Sequence, residues 1–586
     1  ITHLSLYLMI AKKSSFEPLE GTLHRPLCVG PGILIVLMQW LLWLVLPALF
    51  PGPWAMAVGV FGGMLGGIAL LIWWGFFSRA PRVERIGGVL LMIASLLIAY
   101  RFTHRSIATS MQGMMYFAYA IPWMSLAVVI AALLTARVAP LTRRIAMTSV
   151  ILVSTGFWTL LRSEGMTGQA GFKIVWRWTE THEQELLTSA AEESFNNRAY
   201  PERRSGHYEW PGFRGRERNS IVPGIRIAAD WTASSPEELW RRAVGPGCSS
   251  FAVMGNFIYT QEQRGDHEMV TCYRLSDGEP VWKHADPVRF WDSHAGAGPR
   301  STPSYHQGRI YAMGATGILN ALNAGDGSLI WSRNASADSG VELTDWGMCS
   351  SPLVVDDMVV AALQGKMVAY DLNSGEPLWS GPDGGESYSS PHLCMLDGVE
   401  QIVMMTEYGA TSFQPSDGTI LWEYTRQEPR IVQPAVCGER DLLVSAGGVK
   451  GLCRLSVRME SGTWKVNEQW HSRRLRPNFN DFVVHKGHIY GYEGQALASI
   501  DLENGNRNWR GGRYGGQILL LPDQDLLLLI TEGGELVLAD AKPGGLNEVA
   551  RFPAIEGKTW NHPALAGDIL LVRNTREMAA FRLSTL

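Results

Sequence analysis

Ten side chains in the second half of the chain have the chemistry of a ligand site: Trp291, Arg300, Trp346, Tyr388, Gln433, Asn480, Asp481, Arg513, Trp560 and His562. Indole and phenol rings offer stacking surface. The two arginines offer charge-assisted donors to an anion, and Asn480 and Asp481 offer hard oxygen atoms. Aromatics converging with a few polar groups describe a binding funnel. The same segments also carry His294, Arg430, Asn478, Tyr514, Lys558 and Asn561. The competing interpretation is local: the rings cap strands and the polar groups solvate loops. Two oxygen donors are too few for calcium, which takes about 6–8, so no metal site is assigned. No catalytic residue is assigned either. His182-Glu183 and His267-Glu268 begin a zinc-protease helix motif, but Leu186 and Thr271 stand where its second histidine belongs. No nucleophile elbow, P-loop or kinase signature stands in a credible context.

These residues sit between the units of a repeat. Asp/Ser/Asn-Gly-x-x-x-Trp recurs as Asp277-Gly278 to Trp282, Asp326-Gly327 to Trp331, Ser374-Gly375 to Trp379, Asp417-Gly418 to Trp422 and Asn504-Gly505 to Trp509. A strand of the form Gly-x-apolar-x-Ala-apolar-Asp/Asn precedes it, as in Gly317–Asn323 and Gly365–Asp371. Another strand begins with x-Pro at Pro303, Pro352, Pro391, Pro434 and Pro563, where proline needs no ladder donor. Four short strands per period of roughly 40–50 residues predict propeller blades. Seven units are complete from Ser249 onward. The C-terminus then supplies three strands, and Glu238–Val244 has the sequence of the missing Trp strand. The expectation is an eighth blade closed by the two ends of the domain.

The units resemble the pyrroloquinoline quinone (PQQ) repeat over about residues 236–586. That family builds eight-bladed propellers whose recurrent tryptophan docks on the next blade. It includes quinoprotein dehydrogenases and the propeller lipoprotein of the outer-membrane assembly machinery. The enzymes hold PQQ with calcium, a tryptophan beneath the ring and a catalytic aspartate. Alcohol-oxidising members add a disulfide between adjacent cysteines. Here none of the seven cysteines is adjacent to another, and none forms C-x-x-C. The long insertions that cover the cofactor are also missing. What the resemblance implies is therefore a propeller without a working cofactor, PQQ with calcium being the alternative.

The first part of the chain differs. Residues 31–161 hold one carboxylate, Glu84, against eight arginines. Five apolar runs, about 31–50, 54–77, 86–102, 116–136 and 145–161, approach the about 20 residues needed to cross a bilayer. The net charge is -4; residues 1–30 contribute +1 and residues 31–161 contribute +7, which leaves -12 for residues 162–586. An acidic soluble part excludes a nucleic-acid face. The expected organisation is a cytoplasmic segment (1–30), a five-helix transmembrane domain (31–161), a juxtamembrane connector (162–235) and an all-β eight-bladed propeller (236–586). Phe172, Val175 and Trp176 suggest an interfacial amphipathic turn within the connector, and Ser194–Arg204 a loosely ordered stretch. The layout resembles that of membrane-bound quinoprotein glucose dehydrogenase. The expected function is a ligand- or protein-binding platform anchored in the inner (cytoplasmic) membrane. The alternative is a PQQ-dependent dehydrogenase that oxidises a sugar or alcohol and reduces membrane quinone. Lys12, Lys13 and Arg25, then Arg79, Arg82 and Arg85, then Arg137, Arg143 and Arg144 mark alternate loops as cytoplasmic. Arg101 and Arg105 depart from that alternation. Protease added to intact spheroplasts is expected to cleave the propeller; protection until the membrane is opened contradicts the assignment.

Overall fold

The computed structural model describes residues 27–50, 53–167, 171–189, 208–426, 431–447 and 450–586. Lys12, Lys13, Arg25, Ser194–Arg204 and Arg430 lie outside the described residues. The chain forms two compact units. One contains residues 27–163 and 174–177, the other residues 164–173 and 178–586.

In the first unit, four helices are long and apolar enough to cross a membrane: Gly30–Leu49, Trp54–Phe77, Arg82–Phe102 and Met115–Leu134. Their outer faces expose Leu34, Phe61, Leu65, Leu90 and Leu97, while Trp73, Trp74, Met92, Met124 and Val128 pack inside. The fifth apolar run also folds as a helix, Pro140–Gly156. At 17 residues, with Arg143 and Arg144 in its first turn, it is shorter and more polar than the other four. Four of the five expected runs therefore have the length and composition of a span. The two arginines meet Glu84 at 2.8 and 3.1 Å. The single carboxylate of this region is thus buried between two cations, the arrangement that makes a buried charge tolerable.

The second unit contains eight four-stranded antiparallel blades. The first is Ala252–Met254, Phe257–Arg264, His267–Arg274 and Pro280–Asp286, with an extra inner strand Glu209–Trp210. The last is Ala564–Ala566, Ile569–Arg573 and Glu577–Arg582, completed by Glu237–Ala243. Glu577 lies opposite Ala243 and Arg582 opposite Glu237, so the ring closes as the three-strand remainder implies. Phe172–Trp176, expected as an amphipathic turn, is a strand instead. Its two aromatic and two β-branched residues, Phe172, Trp176, Ile174 and Val175, favour the extended form.

One contact repeats around the ring. Trp240, Trp282, Trp331, Trp379, Trp470 and Trp509 each donate Nε1–H to a carbonyl of the following blade, at Leu275, Ala324, Leu372, Pro415, Leu502 and Lys542, over 2.8–3.2 Å. Beneath the indole sits the turn glycine. At Gly327, φ is +72° and an added Cβ would lie 2.4 Å from the Trp282 ring. Glycine is required there twice over, for the left-handed backbone and for the close approach. The fifth blade escapes the sequence pattern because its outer hairpin, Leu452–Glu460 with Thr463–Ser472, is longer. Its Trp470 nevertheless docks in the same way. Trp422 instead donates to Gln401 within its own blade.

Gly327→Ala is expected to lower stability by about 1–3 kcal/mol through overpacking, and Trp282→Ala by about 3–5 kcal/mol. The two changes remove one contact, so their effects should fall well short of additive. Denaturant melts of the full chain in detergent measure this; additive losses contradict the staple.

Candidate functional site

Blade strands run from the axis outward, so every innermost strand faces the central channel. The chain itself fills that channel. Trp210 pairs with Val253 of the first blade. The Pro211 carbonyl accepts from Tyr305 N–H of the second, at 2.7 Å. Phe213 meets the His562 ring of the eighth blade at 5.8 Å. Arg214 contacts Asp481 and the Phe482 carbonyl of the sixth, at 3.2 and 3.3 Å. Arg218 donates to the Ser351 and Pro352 carbonyls of the third, at 2.9 and 2.8 Å. Ile221 bridges Leu520 of the seventh. A segment that reaches innermost strands on opposite sides of a ring lies on its axis. The stretch expected as a juxtamembrane connector therefore supplies an axial plug, residues 210–222.

The plug is cationic, and two of its three arginines are buried. Arg214 and Arg218 are 2% and 8% exposed. Burial and the neighbouring Arg214 push the Arg218 guanidinium down to about 9. Burial pushes the Asp481 carboxyl upward, and Arg214 opposes that shift. Arg214 Nε also donates to Ser220 Oγ at 2.8 Å, and Ser220 Oγ lies 3.0 Å from His562 Nε2. His562 Nδ1 lies 2.8 Å from the Pro563 carbonyl. A carbonyl only accepts, so Nδ1 carries the proton and Nε2 accepts from Ser220. His562 and His392 are pushed down to about 3, by burial first and by the plug arginines second. Both are neutral at physiological pH.

All ten residues singled out in the sequence lie in segments that lead from the outer strand of one blade to the inner strand of the next. Chain direction therefore puts them at one end of the ring. They fall into two groups. Gln433, Asn480, Asp481, His562 and Arg300 are buried. Gln433 Nε2 donates to the Ser390 carbonyl at 3.1 Å, and Asn480 Nδ2 to the Gly516 carbonyl at 2.5 Å. Arg300, expected to attract an anionic ligand, is bound to Asp292 and to the Gly296 carbonyl, and lies 5.1 Å over the Phe290 ring. Its charge is already answered inside the protein.

The other five form two partly exposed patches. Trp346 stacks on His294 at 4.9 Å and meets Tyr388 at 6.4 Å. Trp291 lies nearby in sequence to His294, on a two-residue ribbon with Gly296–Ala297. In the second patch Trp560 packs on Phe479 at 5.5 Å, and Lys558 Nζ sits 4.0 Å over its ring. Arg513 is exposed and lines an open groove of about 500 Å³ with Tyr514, Glu532 and Lys558. Sequence reasoning missed Phe213, Arg214, Arg218 and Ser220. The signal was the alternation Arg214, Arg216, Arg218 between Gly212 and Gly224, a charge run with no carboxylate except Glu217.

The residues present do not fit PQQ with calcium. Arg214 takes the Asp481 carboxylate, and the Asn480 amide nitrogen donates to the Gly516 carbonyl. A guanidinium thus stands where the proposed oxygen donors would need a cation. His267-Glu268 is structural, the Glu268 carboxylate accepting from Ala315 N–H at 3.2 Å.

Fold and site together define a closed eight-bladed propeller with a self-plugged axis. The chain belongs to the PQQ-repeat family whose model is described as outer membrane protein assembly factor BamB, with matches over residues 266–511 and 396–585. A protein of that name from Shewanella oneidensis is 23% identical over 381 residues, covering 60% of this chain and 90% of its own. Another from Alkalilimnicola ehrlichii is 30% identical over 141 residues, covering 23% and 32%. Among solved structures, BamB from Moraxella catarrhalis gives a TM-score of 0.44 at 14% identity, over 59% of this chain and 98% of that one. A europium-containing methanol dehydrogenase gives 0.47 at 12% identity, over 64% and 98%.

Arg214→Met is expected to cost about 3–5 kcal/mol, because it leaves Asp481 buried without a counter-charge. Adding Asp481→Asn should restore most of that loss. Thermal melts of the three proteins test the pair; an undiminished loss in the double variant contradicts it.

Proposed function

We propose that this protein is a membrane-anchored, extracytoplasmic propeller that holds a partner protein on the end of the ring carrying the inter-blade segments. The observation that carries this reading is the plug. It occupies the axis with Phe213, Arg214 and Arg218, which leaves the exposed aromatic patches as the accessible surface. Trp346, Tyr388 and Trp560 have the character of interface anchors, being large, half-buried and rigid. Blades provide the rigid base such a surface needs.

The anchor is the helical part, embedded in the inner membrane as a multi-pass segment with its N-terminus inside. Four spans of suitable length and the arginine-bearing loops support the anchor, and in this reading the fifth helix, Pro140–Gly156, crosses as well, because only an odd number of crossings puts the propeller opposite an inside N-terminus. The related proteins are named as outer membrane assembly factors, which supports a partner within the cell envelope.

A photo-crosslinking residue at Tyr388 in the full-length protein should form an adduct with one envelope protein. Trp346→Ala should reduce the adduct about tenfold or more, as for an anchor worth at least ~1.4 kcal/mol. The same probe at Asp357, in the opposite turn of the third blade, should form none. Equal adducts at both positions, or dye reduction that requires added PQQ and calcium, would overturn the proposal.

A further inference from the structure

The docking that closes the seam between the fifth and sixth blades also builds a cleft. Gly505, at φ +68°, lies under the Trp470 ring. Trp470 Nε1 donates to the Leu502 carbonyl at 2.9 Å, and Ser472 Oγ to the Gly505 carbonyl at 2.6 Å. These bonds hold the turn Asn504–Asn506 opposite the chain that leaves Trp470. Between them is an open cleft of about 430 Å³, lined by His471, Arg473, Arg474, Asn504, Asn506 and Arg507 among others, with no carboxylate in its lining.

The charge there is unbalanced. Arg507 is bonded to Glu493 at 2.6 Å, and Arg476 and Arg510 share that same carboxylate. Glu503, beside the turn, pairs with Arg454. Arg473 and Arg474 are exposed, and no ion pair joins either to a carboxylate among the described residues. They stand on a domain of net negative charge. In five other blades the third and fourth residues after the docking tryptophan are Ala243-Val244, Ala285-Asp286, Asn334-Ala335, Pro382-Asp383 and Gly512-Arg513, and after Trp422 they are Thr425-Arg426. Only here are both arginine.

We propose that this cleft is a binding site for a phosphate group. Guanidinium forks match the oxygen geometry of phosphate. Two free forks, with Asn504 and Asn506 across the cleft, can address a tetrahedral anion from several directions, whereas a carboxylate fills one fork. A phosphodiester lipid headgroup and a soluble phosphate share this chemistry. The site is separate from the aromatic patches and does not depend on the partner proposed above.

The test is isothermal titration of the full chain, in neutral detergent, with inorganic phosphate, dihexanoyl phosphatidylglycerol and dihexanoyl phosphatidylcholine. Saturable binding of phosphate or of the glycerol lipid is expected, lost at least tenfold in Arg473→Glu/Arg474→Glu and partly kept in Arg473→Lys/Arg474→Lys. Trp560→Ala should bind as the parent does. Binding of the glycerol lipid alone identifies a headgroup, and binding of inorganic phosphate a soluble ligand. No binding of either, equal binding by the glutamate variant, or equal uptake of both lipids without phosphate binding overturns the proposal.

Discussion

The indole-on-glycine contact between consecutive blades is the constraint from which the rest of the propeller follows. A single blade cannot bury both of its faces. At six of the eight seams the outer-strand tryptophan covers the turn of the next blade and gives its N–H to a carbonyl there, so packing and hydrogen bonding are satisfied by a neighbour. The requirement propagates until the ring closes, and Trp240 meets it by docking on Leu275 from a strand contributed by the start of the domain. The same contact sets the distance between seams, and with it the width of the axis that residues 210–222 fill.

The axis shows how burial decides chemistry. Asp481 and Arg214 lie in a place that water does not reach, and neither charge is tolerable without the other. Arg218 has carbonyl partners only, and burial, with Arg214 close by, is why its proton is held less firmly than an exposed arginine's. The neighbouring histidines respond by remaining neutral. With residues 210–222 on the axis, the recognition proposed for this protein falls to the aromatic patches at one end of the ring and to the arginine cleft at one seam.

Blade number and ring closure are legible in the sequence because they rest on local signals, Gly-x-x-x-Trp spacing, x-Pro strand starts and a remainder of three strands. The fifth blade hides its signal only because its hairpin is longer. Trp346, Tyr388, Trp560 and Arg513 are also legible as surface groups, since position in the repeat fixes which end of the ring they occupy. Arg300 and Asp481 are not legible as ligand groups. Their partners, Asp292 and Arg214, lie 8 and 267 residues away, and pairing across such distances is a tertiary fact. The plug is the extreme case. Its residues carry no repeat signature, and its place is fixed by backbone pairing to three blades and side chains reaching three others.

Hydrogen–deuterium exchange of the amides of residues 210–222 in the full chain tests the self-plugged axis most directly. Ser220 N–H and Val222 N–H are bonded to the Arg214 and Leu520 carbonyls, at 3.0 and 2.9 Å. The account predicts protection approaching that of the inner strand Gly516–Leu521 beside them. Exchange at the rate of an exposed loop would show the channel open and would contradict it.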